Sequence, residues 1–183
     1  MEQEYFHSVT LNTAKCKGCT NCIKHCPTEA IRVRSGKAVI IKERCIDCGV
    51  CIRVCPYHAK KAVTDSLDTI KNYSYKIALP APSLYGQFGP NYSRERIVLA
   101  LKQFGFDYVF EVARAAEIVT NASENYMNSK NIKKPVISSA CPAVVRFIQI
   151  RFPNLIDNLL KIESPMEVAA ALSKQEVHEK FGI

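Results

Sequence analysis

Eight of the nine cysteines fall in one stretch whose two halves have the same spacing. The first half reads Cys16-x2-Cys19-x2-Cys22-x3-Cys26-Pro27. The second half reads Cys45-x2-Cys48-x2-Cys51-x3-Cys55-Pro56, so every cysteine recurs 29 residues later. Three thiolates within seven residues of a looping chain can cap three irons of one iron–sulfur cubane, and the fourth ligand must then come from elsewhere. The stretch therefore predicts two metal-binding loops that repeat one plan.

The spacing resembles that of bacterial two-cluster ferredoxins, in which the cysteine before proline ligates the other cluster. We therefore assign one [4Fe–4S] cluster to Cys16, Cys19, Cys22 and Cys55. The second [4Fe–4S] cluster is assigned to Cys45, Cys48, Cys51 and Cys26. Because each half supplies a cysteine to the other, we expect neither half to hold a cluster well alone.

Two other uses of cysteine are less consistent with this pattern. Structural zinc sites take cysteine pairs that lie well apart in sequence, which the triplets fit poorly. Disulfides need an oxidising compartment, and the first residues do not read as a secretory signal peptide. The expected compartment is a reducing cytoplasm, and low-potential clusters favour an anaerobic cell.

The net charge of +8 is unevenly distributed. The segment from Lys15 to Lys61 has eleven Lys and Arg against three Asp and Glu, so it carries the whole excess. Such a patch can indicate nucleic acid, but thiolate-ligated clusters are anionic and the formal charge omits them. The positive charges are better explained as offsetting the clusters and attracting an acidic redox partner, so no nucleic acid is expected. No apolar run is long enough to span a membrane.

The sequence predicts two domains of different kinds. Residues 1–65 form an α+β ferredoxin-like module, with a strand over Phe6–Leu11 and a hairpin from Thr28–Arg34 and Lys37–Ile41 around Ser35-Gly36. So small a module has little apolar core, and the clusters are expected to serve as its core. Residues 66–74 are a polar linker, and residues 75–183 are a partial α/β domain with a parallel sheet.

The α/β domain is predicted from alternating short strands and amphipathic helices. The expected strands are Lys76–Leu79, Asp107–Phe110 and Pro135–Ser139. The expected helices are Ser93–Phe104, Ala113–Ser129, Pro142–Phe152 and a last one that Ser164-Pro-Met-Glu167 opens as a capping box. Three strands make a thin sheet, so this domain looks unfinished.

Several residues near the cysteine loops are predicted to lie on the surface. His25 and His58 flank the cluster prolines, but the cysteines already complete both ligand sets. Tyr57, Lys60 and Lys61 follow the second run and are interpreted as a solvated face that a partner could contact.

Cys141, the ninth cysteine, follows the third predicted strand and precedes a helix. Ligands of open α/β sheets bind at the carboxyl ends of strands, and a helix N-terminus favours a thiolate. The alternative is a buried cysteine that acts as a small hydrophobic residue.

A resemblance to [FeFe] hydrogenases covers nearly the whole chain. It is carried by the two cysteine runs and by six later segments, which are Ala81-Pro-Ser83, Phe104-Gly-Phe-Asp-Tyr-Val-Phe110, Ala115-Ala-Glu-Ile118, Ser138-Ser-Ala-Cys-Pro-Ala-Val-Val-Arg-Phe147, Arg151-Phe-Pro-Asn-Leu155 and Ser164-Pro-Met-Glu167. The resemblance implies that Cys141 is one of four ligands of the cubane half of an H-cluster. It also implies that Ala81, Pro82 and Ser83 line the pocket of the diiron half.

The chain departs from that family at several functional positions. Ala140 stands where catalytic members have a proton-relaying cysteine, and Val144 replaces a tryptophan. After Glu117, an acid-rich proton path is reduced to Glu124. Without a titratable relay, proton transfer should be slow, so the chain resembles the divergent, sensory hydrogenases.

The other cubane ligands of the family lie in later motifs, whereas Cys141 is the last cysteine of this chain. We therefore expect an N-terminal piece of a longer protein, in which the ferredoxin module passes electrons to or from a hydrogenase-like domain. Its partner would be an acidic redox protein or the C-terminal remainder of the same chain. Three alternatives stay open: a catalytic hydrogenase, a ferredoxin-like adaptor, and an assembly or regulatory relative without a diiron centre.

Overall fold

A computed structural model describes residues 7–129 and 132–182. The strands are β1 Val9–Leu11, β2 Ile31–Arg34, β3 Lys37–Ile40, β4 Lys60–Ala62, β5 Ile77–Ala78 and β6 Tyr108–Val109. The α-helices are α1 Asn21–Lys24, α2 Val50–Arg53, α3 Pro82–Tyr85, α4 Arg94–Gln103, α5 Val112–Met127, α6 Pro142–Arg151 and α7 Pro165–Phe181. None of the helices described over these ranges has the length and apolarity needed to cross a bilayer.

The chain divides into two compact units, and the first contains both cysteine runs. It takes the residues up to Ser66 together with Cys141–Asp157. The second takes Leu67–Ala140 and Asn158–Ile183. Helix α6 thus belongs to the first unit, whereas the sequence assigns it to the second domain.

The first unit repeats one antiparallel strand pair. Strands β2 and β3 form the predicted hairpin, in which Ile31 pairs with Ile40. Strands β1 and β4 form the other pair, in which Leu11 pairs with Lys60. These two residue pairs are related by the same 29-residue offset as the cysteines. The internal repeat of the sequence is therefore also a repeat of strand register. Phe6, the first residue of the predicted N-terminal strand, lies outside the described residues.

Helices α1 and α2 also occupy equivalent positions in the two halves. Each helix follows a residue in the left-handed conformation, Thr20 with φ 66° and Gly49 with φ 71°. A four-residue helix is too short to be stable alone, so the surrounding loop holds it. One cysteine lies on each helix, Cys22 on α1 and Cys51 on α2.

Helix α6 is tied to the cysteine loops by two arginines. Arg146 Nη2 donates a hydrogen bond to the backbone oxygen of Glu43 over 3.2 Å. Arg151 forms a 3.9 Å ion pair with Glu29. Glu29 and Glu43 both lie between the two cysteine runs, so helix α6 belongs to the first unit.

The core of the first unit contains few apolar side chains. One cluster of buried residues contains Cys16, Cys22, Ile31, Ala38 and Ala59, and Val9, Ala30, Ile46 and Ile148 are also buried in this unit. Two of these nine are predicted cluster ligands and three are alanines, which bury little area. The remaining apolar surface is too small to stabilise the unit strongly.

The second unit is built on a parallel strand pair and two long helices. Strand β5 pairs with β6, Ile77 opposite Tyr108. Helices α5 and α7 pack through Ala115 and Ala169, which are both fully buried. The predicted capping box of α7 is present, since Ser164 and Glu167 bond each other's backbone N–H groups.

One expectation for the second unit needs correction. The predicted third strand, Pro135–Ser139, is reduced to one parallel bridge between Ile137 and Leu159, and it does not join the β5–β6 pair. The predicted linker contains a 3-10 helix, Leu67–Asn72. The α/β pattern is therefore present, but its sheet has only two strands among the described residues.

Candidate iron–sulfur centres

Two cavities of nearly equal size bring the eight cysteines together in two groups of four. The first has about 350 Å³ of space free of protein atoms, part of it open to solvent, and is lined by Cys16, Cys19, Cys22 and Cys55. The second has about 360 Å³ of such space and is lined by Cys26, Cys45, Cys48 and Cys51. Each cavity thus meets three cysteines of one run and the last cysteine of the other run. Four thiols around one cavity are the donor set that a [4Fe–4S] cluster takes.

Backbone N–H groups donate to the sulfurs at equivalent places in the two halves. Ala30 N donates to Cys26 Sγ over 3.2 Å, and Ala59 N donates to Cys55 Sγ over 3.3 Å. In the first cavity Ala38 N also approaches Cys16 Sγ at 3.5 Å. Donors aimed at sulfur stabilise its negative charge. The loops are therefore shaped for thiolates.

Burial raises the pKa of three of the cysteine thiols and so favours their protonated form. Burial raises the pKa of Cys22 and that of Cys51. Burial, followed by the nearby Asp47 carboxylate, raises the pKa of Cys45 to about 11. For Cys16, burial tends to raise the pKa of the thiol. Hydrogen bonds from the N–H groups of Ala38 and Gly18 outweigh this effect, and the pKa is lowered. Metal binding must therefore release protons from these thiols.

The predicted surface position of Lys60 is wrong. Its side chain is 3% exposed and lines the first cavity. Among residues 7–129 and 132–182, no hydrogen-bond partner meets its Nζ. Tyr57 and Lys61 are exposed as expected, and so are His25 and His58. The signal for Lys60 was available in the repeat, because its equivalent residue is Ile31, a hairpin residue with its side chain buried.

An acidic residue lines the second cavity. Asp47 Oδ1 accepts hydrogen bonds from Ser8 N at 3.1 Å and from Cys45 Sγ at 3.4 Å. His7 Nδ1 lies 3.8 Å from the same oxygen. The ligand atoms of His7, Cys45 and Asp47 all lie within 4.8 Å of one another. The equivalent of Asp47 in the first half is Gly18, so the two cavities differ in charge.

Cys141 is exposed and precedes helix α6, where its carbonyl oxygen accepts the N–H groups of Val144 and Val145. The reading of Cys141 as a buried hydrophobic residue is therefore wrong. Its role as a cubane ligand stays a prediction. The preceding Ala140 N donates to Ser138 Oγ over 3.3 Å. Because residue 140 is alanine, a methyl group stands where the resemblance would place a relay thiol.

The segment that the resemblance assigns to a diiron pocket begins helix α3 in the second unit. Ala81 is the N-cap residue of this helix, Pro82 opens it and Ser83 follows. Glu117 and Glu124 are exposed on α5. The chain offers one cysteine, Cys141, outside the two cavities. Its own residues therefore do not complete the four-thiolate set of an H-cluster, and we assign no chemistry to such a group.

Two known families match this chain, one over each part of the sequence. Residues 8–56 match the 4Fe-4S dicluster domain. Residues 74–181 match the family described as "Iron only hydrogenase large subunit, C-terminal domain".

Three known proteins illustrate the range of relatives. The periplasmic [Fe] hydrogenase large subunit of Nitratidesulfovibrio vulgaris is 27% identical over 94% of this chain and 46% of its own length. Iron hydrogenase 1 of Clostridium pasteurianum is 30% identical over 91% of this chain and 34% of its own length. The cytosolic Fe-S cluster assembly factor NAR1 of Candida dubliniensis is 30% identical over 48% of this chain and 15% of its own length.

The chain thus spans less than half the length of the hydrogenases it resembles. The hydrogenase match covers more than half of this chain, and the dicluster match lies over the two cysteine runs. This iron–sulfur chain therefore belongs to the iron-only hydrogenase large-subunit family.

Proposed function

We propose that the chain binds two [4Fe–4S] clusters with crossed ligand sets and relays electrons between them. The observation that carries the proposal is the composition of the two cavities, each of which meets three cysteines of one run and one of the other. The first ligand set is Cys16, Cys19, Cys22 and Cys55, and the second is Cys45, Cys48, Cys51 and Cys26. The N–H groups of Ala30 and Ala59 support the two crossed cysteines equally.

The relay role is supported by the closeness of the two ligand sets. The thiol of Cys51 is close enough to Cys22 and Cys26 that their negative charges raise its pKa, after the larger effect of burial. Cys22 belongs to the first set and Cys26 to the second, so the cavities adjoin. A bound cluster supplies one-electron oxidation and reduction. The protein holds the thiolates in place, excludes water from the buried ones and sets the local charge.

A basic surface favours an acidic redox partner. Between Lys15 and Lys61 the positive side chains exceed the negative ones by eight, and complementary charge speeds the encounter of two proteins. The alternative electron partner is the C-terminal remainder of a longer chain. We place the protein in a reducing cytoplasm and expect no nucleic-acid ligand.

We also propose that this chain is part of a hydrogenase-like protein of the sensory type. Ala140 and Val144 depart from the catalytic pattern, and only Glu124 remains of the acid-rich path. Slow proton transfer suits a sensor better than a high-turnover enzyme. We expect this chain alone to be inactive toward H2, since Cys141 is a single thiolate.

The cluster proposal is tested by anaerobic reconstitution followed by iron and sulfide analysis. We expect about eight irons and about eight labile sulfides per chain, four of each for every cubane. Four irons, or zinc without iron, would refute the ligand assignment.

A second candidate function is a role in cluster assembly, favoured by the similarity to NAR1 of Candida dubliniensis and to the same factor in Yarrowia lipolytica. The chain shares with these proteins 43–48% of its own length. H2-dependent reduction of methyl viologen by the matured, full-length protein separates the candidates. Activity would establish a catalytic hydrogenase, whereas inactivity with both clusters present would leave the sensory and assembly roles.

A further inference from the structure

The two cluster cavities differ in charge at positions that the 29-residue repeat makes equivalent. Lys60 lines the first cavity, and its equivalent Ile31 lines the second. Asp47 lines the second cavity, and its equivalent Gly18 lines the first. The strand register fixes the first comparison, because Leu11 pairs with Lys60 as Ile40 pairs with Ile31.

Lys60 is the more unusual of the two charges. Its side chain is buried to the same degree as that of Ile31, at 3% and 2% exposed. In the described part of the chain its Nζ has no hydrogen-bond partner. Burying an ammonium group without a counter-charge is strongly unfavourable. Lys60 lines the cavity of four cysteines, and its charge acts on Cys16 and Cys22, so a thiolate-ligated cluster in that cavity would supply a counter-charge.

The surroundings of the first cavity add to this positive charge. Lys37 Nζ donates to the carbonyl oxygen of Cys16 over 2.7 Å. The positive charges of Lys37 and Lys60 both favour the thiolate of Cys16. The charge of Lys60 also acts on Cys22 of the first set and on Cys51 of the second, but of the two cavities Lys60 lines the first.

The second cavity has a negative charge near Cys45, in contrast to the positive charge of the first. The carboxylate of Asp47 lies 3.4 Å from Cys45 Sγ and acts against a negative charge there. His7 lies beside the same carboxylate, at 3.8 Å. The first half has Gly18 at this position and thus carries no side chain there.

We propose that Lys60 and Asp47 separate the reduction potentials of the two clusters, so that an electron rests on the cluster of Cys16, Cys19, Cys22 and Cys55. This inference rests on the proposed two-cluster function. Reduction adds negative charge to a cluster, so a nearby cation stabilises the reduced form and a nearby carboxylate destabilises it. The chain is then a directional relay, in which the second cluster passes electrons on and the first one stores them.

Redox titration followed by EPR spectroscopy tests this in the reconstituted, full chain. Lys60→Ile installs the residue that the repeat already accommodates. At a fixed potential we expect the ratio of reduced to oxidised first cluster to fall by about tenfold, a shift of about 59 mV for one electron. Lys61→Ile is the matched control, since it removes the same charge from the exposed neighbouring position, and we expect less than about a twofold change there.

Asp47→Asn removes the negative charge at the second cluster and so tests the other half of the proposal. The side chain keeps its size, and asparagine tolerates the left-handed conformation that Asp47 adopts at φ 51°. We expect the reduced fraction of the second cluster to rise. Cys19→Ser and Cys48→Ser, which alter one exposed ligand of each cluster, assign the two EPR signals.

The outcomes separate the inference from the function on which it rests. Equal shifts of both clusters in Lys60→Ile, or an equal shift in Lys61→Ile, would overturn the inference while eight irons per chain left the two-cluster function intact. Fewer than eight irons in the unaltered protein would overturn both. If Lys60→Ile loses iron, Lys60→Met retains the length of the side chain and gives the same comparison.

Discussion

The backbone of Gly18 lies directly against the carbonyl group of Gly36, so that a Cβ atom at position 18 would be 2.5 Å from Gly36 O. The contact joins the first cysteine loop to the turn of the β2–β3 hairpin. Gly18 also has φ +66°. The loop therefore requires a residue without a side chain for two independent reasons.

We expect Gly18→Ala to weaken the first cysteine loop. The left-handed conformation alone costs an alanine about 1–2 kcal/mol, and the hairpin turn must also move. The matched control is Gly49→Ala, which has φ +71° but nothing within 4 Å of the new Cβ. Bleaching of the visible absorbance on heating should occur at a lower temperature in Gly18→Ala than in Gly49→Ala. Equal temperatures would contradict the importance of the contact.

The crossed ligand sets predict which cluster each cysteine supports. Cys26→Ala should weaken the cluster of Cys45, Cys48 and Cys51, although Cys26 belongs to the other run in sequence. Cys55→Ala should weaken the cluster of the first run in the same way. EPR spectra of the two variants report which signal is lost. Loss of the first-run signal in Cys26→Ala would refute the crossing.

Removal of iron should unfold the first unit while the second remains folded. The buried cluster around the cysteines consists of two cysteines, two alanines and Ile31, and the other buried apolar residues of the unit, such as Val9 and Ile46, are few, so little apolar burial remains without the clusters. The second unit has its own core around Phe110 and the packed alanines of α5 and α7. Hydrogen exchange after chelation should show fast exchange in β2 and β3 and continued protection in α5 and α7. Retained protection in β2 and β3 would show that the clusters are not the core.

Glu176 on α7 predicts an acid-dependent stability of the second unit. Hydrogen bonds from Lys180 and then from Tyr108 lower the pKa of its carboxyl group to about 2. Tyr108 OH donates over 2.9 Å, and Arg114 adds a 3.2 Å contact. A depressed pKa in the folded state gives stability above the unfolded value of about 4.3, and this stability is lost as the pH falls toward 2.

Glu176→Gln should therefore destabilise the second unit at pH 6 by about 1 kcal/mol, the upper range for a surface ion pair, and by less at pH 3. Urea unfolding followed by helical circular dichroism measures the difference, in iron-free protein so that acid release of clusters does not contribute. Glu179→Gln is the control on the same helix, because that carboxylate accepts a hydrogen bond from the uncharged Gln175 side chain. A loss in Glu176→Gln that is the same at pH 6 and pH 3 would contradict the assignment.

The sequence predicted the local elements well, because capping and periodicity are local signals. The hairpin around Ser35-Gly36, the capping box at Ser164 and helix α5 lie within a few residues of their predicted bounds. The predicted strand Pro135–Ser139 fails because its pairing is decided elsewhere: the backbone of Ile137 bonds Asn158 and Leu160 in place of a sheet partner.

The position of Lys60 was missed for a related reason. A lysine beside another lysine reads as a solvated face, and only the pairing of β4 with β1 turns Lys60 inward. Extending the 29-residue repeat beyond the cysteines would have placed Lys60 at the position of the apolar Ile31. The repeat thus contains information on side-chain direction that hydropathy alone does not.

The division of the chain into two interleaved units affects the order in which a newly made polypeptide can fold. The cysteine loops are synthesised first, but helix α6, with its contacts to Glu43 and Glu29, belongs to the same unit and comes much later. About 90 residues separate Ser66 from Asp157, which at about 5–20 residues per second takes a ribosome on the order of ten seconds. During that interval the cysteine loops have left the ribosome, but helix α6 has not yet been synthesised. Delivered iron and competing metal ions then have access to the same incompletely folded loops.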